Sequence, residues 1–405
     1  MKILHFDLKL VQDNYVELRY FSDNPHQYQS RRLPLEEIAE LVKLAEHDYY
    51  VRLAMDYAVT GQKLYRWLDG KERWLERLLQ PYQREGVVLA IAAAENLAHL
   101  PWEMLHDGKG FLVGRLPGIV PVRWVAGATS KLSVAATPEN RALNLLFMAT
   151  SPLGLKSVLD YEKEEARILE ATARQPLALT VEESGCLTEL GYLVEDYGKD
   201  YFDILHLTGH AGFEEEEPRF LTETETGEAY LATAEDLARE LQFQLPKLIF
   251  LSGCHTGQAG QSGAVPSMAE ELLNAGAKAV LSWGNSVLDR DATTATATLY
   301  QGLAAGKGVT EAVACTYQAL IKEQARDWHL LRLYVAGSLP GELVTPLRRR
   351  GRKPAPPPSI ATEFLDAAGK VKVPTRGSFV GRRRQLQYCL KALKPPREEV
   401  GVLIY

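Results

Sequence analysis

The chain has 405 residues, of which 46% are hydrophobic and 24% are charged, a balance typical of a globular protein with two or three domains. With a net charge of −6, the chain has no overall basic field that would suggest nucleic acid as its main partner. No apolar run approaches the roughly 18 residues of a membrane span, and residues 1–7 lack the apolar core of a signal peptide. The four cysteines form neither a CxxC pair nor a disulfide framework. We therefore predict a cytoplasmic protein with no nucleic-acid or membrane partner.

The first part of the chain mixes strand and helix patterns. The predicted elements are, in chain order, a hairpin over residues 2–20, a helix over 35–45, a helical region over 49–80, a buried strand from 86 and a strand-rich stretch over 112–124. A polar stretch near residues 128–141 follows and predicts a boundary. We therefore predict an N-terminal α+β subdomain over residues 1–135.

Residues 136–345 alternate between strand and helix patterns. The predicted strands cover residues 144–150, 177–181, 203–208, 247–252, 278–283 and 330–335, and the predicted helices include 160–172, 267–275, 292–304 and 309–325. Another helix is expected after Thr233, which has the spacing of a capping box with Asp236. The alternation predicts a three-layer α/β/α sandwich with a mostly parallel sheet and right-handed crossovers.

Two segments, residues 203–213 and 247–257, each begin with an apolar run of strand length and end in small residues next to a reactive side chain. The first segment carries His210 and the second carries Cys254. Parallel strands hold functional groups at their carboxyl ends, so we expect the imidazole and the thiol to lie close together. A cysteine nucleophile needs that arrangement. The alternative is that Cys254 is a small buried hydrophobic residue.

The chemistry that this pair supports is nucleophilic attack by a thiolate. A free thiol has a pKa near about 8.5, so His210 would take the proton of Cys254 and later protonate the leaving amine. The backbone amides of Ala211 and Cys254 are our candidates for an oxyanion hole, since glycines on either side allow close approach. The loops at 214–230 and 257–266 offer few packing anchors, and we expect both to be mobile and to order on activation.

Two acidic residues, Asp289 and Asp291, follow the strand after the one that carries Cys254. One interpretation is that both are charges at the N-terminus of a helix that begins near residue 292. His206 lies inside its strand and is predicted to be a core residue. No spacing of His, Cys and Asp indicates zinc, and we predict no metal and no cofactor.

Several stretches resemble the CHAT-domain peptidases, which are caspase-like cysteine proteases related to separase. They are the segments around His210 and Cys254, the stretch His99–Asp107, the strand Ala279–Trp283 with Asp289 after it, and the strand Leu331–Ser338. The resemblance covers most of residues 1–345. It implies a caspase-like sandwich in which His210 and Cys254 are catalytic. Many caspase relatives have Gly where this chain has Ala211, and an amide donor survives that difference.

The same resemblance implies different roles for two parts of the chain. Residues 1–135 would form an N-terminal CHAT subdomain that serves as a degenerate peptidase-like scaffold. Residues 136–345 would form the catalytic domain. The resemblance also gives a second interpretation of Asp289 and Asp291: they would form the wall of the S1 pocket, which receives the substrate side chain before the cut and would prefer Arg or Lys.

A linker and a second resemblance follow residue 345. Like charges and a proline run predict a linker over residues 346–375. Residues 376–405 resemble the entry of a STAND NTPase module of the NB-ARC or NACHT type, in which a strand like 401–405 leads into a P-loop. The sequence contains no G-x-x-x-x-G-K-S/T motif, so nucleotide binding by that motif is excluded. We expect the natural protein to continue into such an oligomerising sensor.

Together these observations predict a cysteine endopeptidase that cleaves a protein or peptide partner with a Cys254–His210 dyad. The resemblances imply that an NLR-like sensor, the C-terminal part of the same protein, activates it in prokaryotic immunity or programmed cell death. The alternative is a catalytically silent, caspase-like adaptor in which the pair is a vestige.

Overall fold

A computed structural model describes residues 1–47, 57–93, 95–125, 131–135, 137–154, 161–215, 217–242, 244–253, 264–284, 287–347 and 383–394. The described strands are β1 (Lys2–Val11), β2 (Tyr15–Phe21), β3 (Gln29–Pro34), β4 (Val87–Ala93), β5 (Ile119–Trp124), β6 (Ser133–Ala135), β7 (Leu143–Ala149), β8 (Leu177–Glu182), β9 (Ile204–Glu214), β10 (Glu217–Glu223), β11 (Ala229–Ala232), β12 (Leu248–Gly253), β13 (Ala279–Trp283), β14 (Leu331–Val335) and β15 (Ser338–Pro340).

The described α-helices are α1 (Ala39–His47), α2 (Tyr57–Asp69), α3 (Trp74–Leu79), α4 (Tyr161–Ala171), α5 (Leu187–Tyr197), α6 (Ala234–Glu240), α7 (Ala264–Asn274), α8 (Asp289–Ala304), α9 (Val309–Lys322) and α10 (Arg383–Leu393). Short 3-10 turns lie between several elements, among them Glu95–His99 and Trp102–Met104. Of the helices described, none is both long and apolar enough to cross a membrane.

Most of the described strands belong to one sheet with the order β11-β10-β9-β12-β13-β14-β5-β4-β1-β2-β3, in which β7 pairs with both β9 and β8. The pairs around β7, β9, β12 and β13 are parallel, and so are those that join β14, β5, β4 and β1. Antiparallel pairs join β13 to β14 and form the outer ends. β6 and β15 form a separate parallel pair. The predicted mixed α/β fold with a mostly parallel sheet is therefore confirmed.

Helices cover both faces of the sheet in the second half of the chain. The helices α4, α8 and α9 share one buried apolar core with β7, β12 and β13, and α5, α6 and α7 share another on the opposite face. The neighbouring residues Ile204 and Leu205 of β9 belong to different cores, because side chains alternate between the faces of a strand. A fully covered sheet explains why these strands are almost continuously apolar.

The first half of the chain continues the same sheet. The helices α1, α2 and α3 cover one face of β1, β2 and β4, with Trp67 and Trp74 in that core. On the other face, Val88 and Val122 belong to the core that contains α8 and α9. The boundary predicted near residue 135 stays a prediction, and one sheet runs through the strands on either side of it.

A buried ionic cluster lies where the two halves of the sheet meet. Glu103 is fully buried and accepts two hydrogen bonds from the guanidinium of Arg123, which also donates to the carbonyls of Ala98 and Leu100. Arg332 of β14 is also fully buried, with Nε 4.0 Å from the Glu103 carboxylate. Glu103 of the His99–Asp107 stretch therefore links β5 and β14 rather than lining an open site.

The strand that carries His210 is longer than the sequence indicated. β9 continues through His210 to Glu214 and pairs in an antiparallel ladder with β10, which pairs in turn with β11. The prediction of a mobile loop over 214–230 is therefore wrong. Burial alternates along β10, with Phe220 and Thr222 almost fully buried, and this supports a strand despite the acidic turn before it. The other predicted mobile loop, 257–266, lies largely outside the described residues.

Other predictions concern shorter elements. The capping box at Thr233 is confirmed, with reciprocal bonds between its hydroxyl, the Asp236 carboxylate and the two backbone amides. The helix expected near residue 292 begins at Asp289. Most of the predicted linker, residues 348–375, lies outside the described residues. Most of residues 376–405, the stretch that resembles an NTPase entry, also lies outside the described residues. The exception is residues 383–394, which contain α10.

Candidate active site

The two strands of the candidate dyad are direct neighbours. β9 and β12 pair in parallel from Ile204 opposite Leu248 to Gly209 opposite Gly253. His210 is the next residue of β9 after this last pair. Cys254 is the next residue in the sequence after Gly253, but it lies outside the described residues. The described register therefore places Gly253, the residue directly before Cys254, opposite Gly209, the residue directly before His210.

Gly209 is required by the packing at this point. A Cβ atom on Gly209 would collide with the hydroxyl of Thr150 and would lie 3.0 Å from the ring of Phe220. Thr150 is held against the strand because its backbone amide donates to the carbonyl of Thr208 at 2.8 Å. Only glycine allows β7, β9 and β10 to approach so closely, and this explains the small residue directly before His210.

His210 is 9% exposed and continues a row of side chains on one face of β9. Ile204, His206, Thr208 and His210 alternate with Leu205 and Leu207, so the row lies on the face that α4 and α8 cover. Across the antiparallel ladder, His210 is opposite Leu221 of β10. The candidate base is thus at the rim of the sheet, with buried polar residues behind it on its own strand.

Glu164 of α4 is the acidic residue behind this row. It is 7% exposed, and its carboxyl accepts a hydrogen bond of 2.8 Å from the hydroxyl of Thr296. Burial raises the pKa of Glu164 to about 7, and hydrogen bonds from Thr296 and Thr208 offset only part of that rise. The charge of Asp289 adds a smaller rise. Glu164 is therefore a protonated acid below about pH 7.

His206 lies beside this carboxyl, with Nε2 3.5 Å from Oε1 of Glu164. Its ring stacks on Phe250 at 4.7 Å and meets the edge of Phe147 at 4.9 Å. Burial lowers the pKa of His206 to about 3, so the imidazole is neutral near pH 7. The surroundings of His206 are those of a core residue.

Ala211, our oxyanion-hole candidate, is half-buried inside β9 and lies opposite Phe220 of β10. Its backbone amide is two residues beyond the last pair of β9 with β12, at the same rim as His210. The second candidate amide, that of Cys254, lies outside the described residues.

Asp289 and Asp291 lie in the first turn of α8, and they differ in exposure. Asp289 is exposed. Asp291 is only 2% exposed and is already engaged, because its carboxylate accepts the backbone amide of Arg326 at 3.1 Å and lies 3.3 Å from Nε of Arg290. The carboxylate of Asp291 therefore holds the segment after α9 against the start of α8, while that of Asp289 faces solvent.

Sequence reasoning missed two buried carboxylates near the candidate base. Glu164 stands among charged neighbours and resembles a solvated helix face, although it precedes the buried Ile168 by one helical turn. Glu223 ends β10 and is 1% exposed. The helical periodicity was a usable signal for Glu164. No local signal marks Glu223, because its burial depends on residues distant in sequence.

Among the described residues, no group of three or more His, Cys, Asp or Glu side chains is arranged to hold a metal. A cleft of about 610 Å³ opens in the first half of the chain, between α3 and the 107–115 segment, with Ile321 at its edge. None of its lining residues belongs to β9 or β12. It is therefore separate from the candidate dyad.

Comparison with solved structures finds separase and a caspase among those that resemble this chain. The structure of the separase–securin complex from Saccharomyces cerevisiae matches with a TM-score of 0.41 and 11% identity, over 84% of this chain and 30% of the separase chain. Caspase-1 from Spodoptera frugiperda matches with a TM-score of 0.34 and 11% identity, over 54% of this chain and 97% of the caspase. The chain thus spans less than a third of the separase chain that it matches.

No curated protein sequence matches the chain. A family model does match it: the model of the CHAT domain aligns with residues 58–364. That range contains most of the sheet, both strands of the candidate dyad and the buried Glu103 cluster. The chain therefore belongs to the CHAT domain family.

Proposed function

We propose that this protein is a cysteine endopeptidase in which Cys254 is the nucleophile and His210 is the general base. The observation that carries the proposal is the register of β9 and β12, where the parallel pair Gly209–Gly253 directly precedes both residues. Paired strands lie about 4.8 Å apart, and one residue extends the chain by about 3.8 Å, so connectivity limits the separation of the two Cα atoms to roughly 12 Å. The side chains can therefore meet at this rim.

The proposed reaction has the usual two stages of a thiol protease. His210 takes the proton of the Cys254 thiol, and the thiolate attacks the scissile carbonyl. The amides of Ala211 and Cys254 stabilise the developing oxyanion. As the tetrahedral intermediate collapses, His210 gives its proton to the leaving amine, and an acyl-enzyme remains. His210 then deprotonates a water molecule, which hydrolyses the thioester and regenerates the thiol.

The substrate is proposed to be a protein or peptide, and Asp289 is the candidate wall of its S1 pocket because its side chain is exposed. Asp291 would act behind it, through the position of α8. We also propose that an oligomerising STAND-type sensor in the same protein controls the peptidase, with a role in immunity or programmed cell death. This proposal rests on the resemblance of residues 376–405 alone.

Newly formed protein N-termini provide the direct test. A cell extract is incubated with the wild-type chain, Cys254→Ala or His210→Ala, and the new N-termini are identified by mass spectrometry. We expect cleavage by the wild type and none by either variant. Cys315→Ala and the exposed His26→Ala are matched controls for the loss of a thiol and of an imidazole, and both should cleave like the wild type.

Two outcomes would contradict the proposal. Cleavage that persists in Cys254→Ala or in His210→Ala would remove that residue from the mechanism. A wild-type chain that neither cleaves nor reacts at Cys254 with an electrophilic thiol probe would favour the silent adaptor instead.

A further inference from the structure

The helix α10 lies against the rim of the sheet that carries His210. Its residues Arg384 and Gln387 reach Glu223 at the end of β10, and Lys391 and Lys394 pair with Glu228 and Glu225 in the turn between β10 and β11. Gly227 of that turn is in close contact with α10, since a Cβ atom there would lie 2.7 Å from Oε1 of Gln387. A basic face of α10 is thus fitted to an acidic hairpin.

Glu223 is the centre of this contact, and its carboxylate is completely covered. Oε1 accepts the backbone amide of Ser151 at 2.7 Å. Oε2 accepts the side-chain amide of Gln387 at 2.6 Å and lies 3.3 Å from Nη1 of Arg384. A buried carboxylate is tolerated only when such donors replace its water, so the burial of Glu223 depends on α10.

The guanidinium of Arg384 fits a set of acceptors around Glu223. Nη1 faces the Glu223 carboxylate and donates to Oε1 of Gln387 at 2.8 Å, and Nη2 donates to the backbone carbonyl of Ser151. The planar fork of an arginine suits two acceptors held side by side, whereas the single ammonium of a lysine does not. The pocket therefore has the chemistry of a guanidinium site.

This pocket adjoins the candidate base. Leu221 lies opposite His210 in the ladder, and Glu223 is two residues further along β10. Residues directly opposite share a face of the sheet, and so do residues two apart, so Glu223 and His210 are on the same face. Two residues of strand span roughly 7 Å. Ser151 follows Thr150, whose amide bonds to Thr208 on the strand of His210.

The docking of α10 is polar rather than apolar. Leu386, Tyr388, Leu390 and Leu393 of this helix are each at least 40% exposed, so its apolar face points away from the hairpin. Arg384 also lies in the first turn, where a positive charge opposes the helix dipole. The contact is therefore held by charged hydrogen bonds, which salt or a competing cation weakens far more readily than a packed core.

We propose that Glu223 and the Ser151 carbonyl form a guanidinium-binding site beside His210, which takes an arginine side chain of a peptide and which Arg384 of α10 occupies in this structure. The role of this site as a substrate subsite, blocked by the chain's own helix, rests on the proposed function. The selective binding of arginine at the site does not depend on catalysis.

The experiment uses the full chain with Cys254→Ala, so that turnover does not contribute. Binding of N-acetyl-arginine methylamide is measured by NMR or calorimetry, with the lysine and citrulline analogues as controls for charge and shape. The added variant Arg384→Ala vacates the position of the guanidinium while Gln387 stays on Oε2 of Glu223. We expect arginine to bind this variant at least about tenfold more tightly than the chain with Arg384 in place, as for loss of a hydrogen bond to a charged group. Adding Glu223→Gln to Arg384→Ala should abolish the binding, whereas adding Glu40→Gln, which changes an exposed carboxylate of α1, should leave it unchanged.

Hydrogen exchange of α10 amides gives an independent measure of docking. Arg384→Ala should raise exchange over residues 383–394 by about tenfold, and Lys391→Ala, which removes only an outer pair, should raise it much less. Equal arginine binding with and without Arg384, equal binding of citrulline, or unchanged α10 exchange in Arg384→Ala would each overturn the proposal. If arginine binds as expected but the Arg384→Ala chain with Cys254 in place cleaves no protein, the guanidinium site stands and the peptidase proposal fails.

Discussion

Burial determines the charge of the residues behind the candidate base. His206 and Glu164 lie 3.5 Å apart, yet burial lowers the pKa of the first to about 3 and raises that of the second to about 7. Below about pH 7 the pair is therefore an uncharged imidazole beside an uncharged acid. The rear of the His210 row gains a negative charge only when Glu164 ionises, so this charge is itself pH-dependent.

Stability should decrease as this proton is lost. The pKa of Glu164 rises on folding from 4.5 to about 7, so the folded state keeps a proton that the unfolded chain has released. The contribution of Glu164 to the free energy of unfolding is therefore full below about pH 4.5 and is lost as the pH rises through about 7. Glu164→Gln keeps an acceptor for Thr296 and should flatten the decline, which urea unfolding at a series of pH values measures. An unchanged decline would contradict this assignment, with the exposed Glu40→Gln as control.

The Glu103 cluster predicts a second effect at the scale of a single residue. Burial alone would lower the pKa of Arg123, but the Glu103 carboxylate more than offsets this and raises it. Glu103→Ala leaves the buried guanidinium without that partner and should lower the free energy of unfolding by about 3 to 5 kcal/mol. Chemical denaturation measures the loss. Glu17→Ala removes a more exposed partner of Arg19 and should have little effect, and similar losses in both variants would contradict the prediction.

At the scale of elements, local patterns predicted the alternation of strands and helices. Strands covered on both faces give short continuous apolar runs, whereas each helix buries one face with a period of 3.6 residues. The capping box at Thr233 was also predictable from local sequence, because its bonds span only three residues. The hairpin of β10 and β11 was missed because four successive glutamates before it are typical of a solvated loop. What makes β10 a strand is its ladder with β9, which depends on how far β9 continues past His210.

The candidate site was predictable only to the extent that strand ends mark it. His210 and Cys254 each follow an apolar run, and glycines before them signal close packing. The parallel neighbours β9 and β12 were expected from that pattern, and the described register agrees with it up to Gly253. Glu223, Ser151 and Arg384 come from three distant parts of the chain. Their meeting follows from the fold and from the docking of α10, which no local spacing encodes.

The contact of β9 with β7 and β10 gives a prediction for one element. Gly209→Ala places a methyl group against Thr150 and Phe220 and should destabilise the chain by about 1 to 3 kcal/mol through overpacking. Thermal or urea unfolding measures this change. Gly110→Ala is a matched control, because nothing lies within 4 Å of the added Cβ there. Equal stability of the two variants would show that β9 is packed less tightly at Gly209.

For the whole molecule, the sheet and the Glu103 cluster connect both halves of the described chain. β5 pairs with β14, and Arg332 of β14 reaches towards Glu103. We therefore expect β1–β4 and β9–β12 to unfold in one cooperative transition. Hydrogen exchange with mass spectrometry during a urea titration checks this, because peptides from both regions should lose protection at the same midpoint. Two separated midpoints would show independent domains.

The continuity of the sheet also bears on how such a chain can be divided. A break at the predicted boundary near residue 135 would separate β5 from β14 and leave an interior strand of the sheet as an open edge on each fragment. Open edges of apolar strands pair with any similar edge, so each fragment would be a template for aggregation. Expressing either half alone should therefore yield insoluble material. Exchange of modules between relatives would be tolerated more easily beyond β15 than inside the sheet.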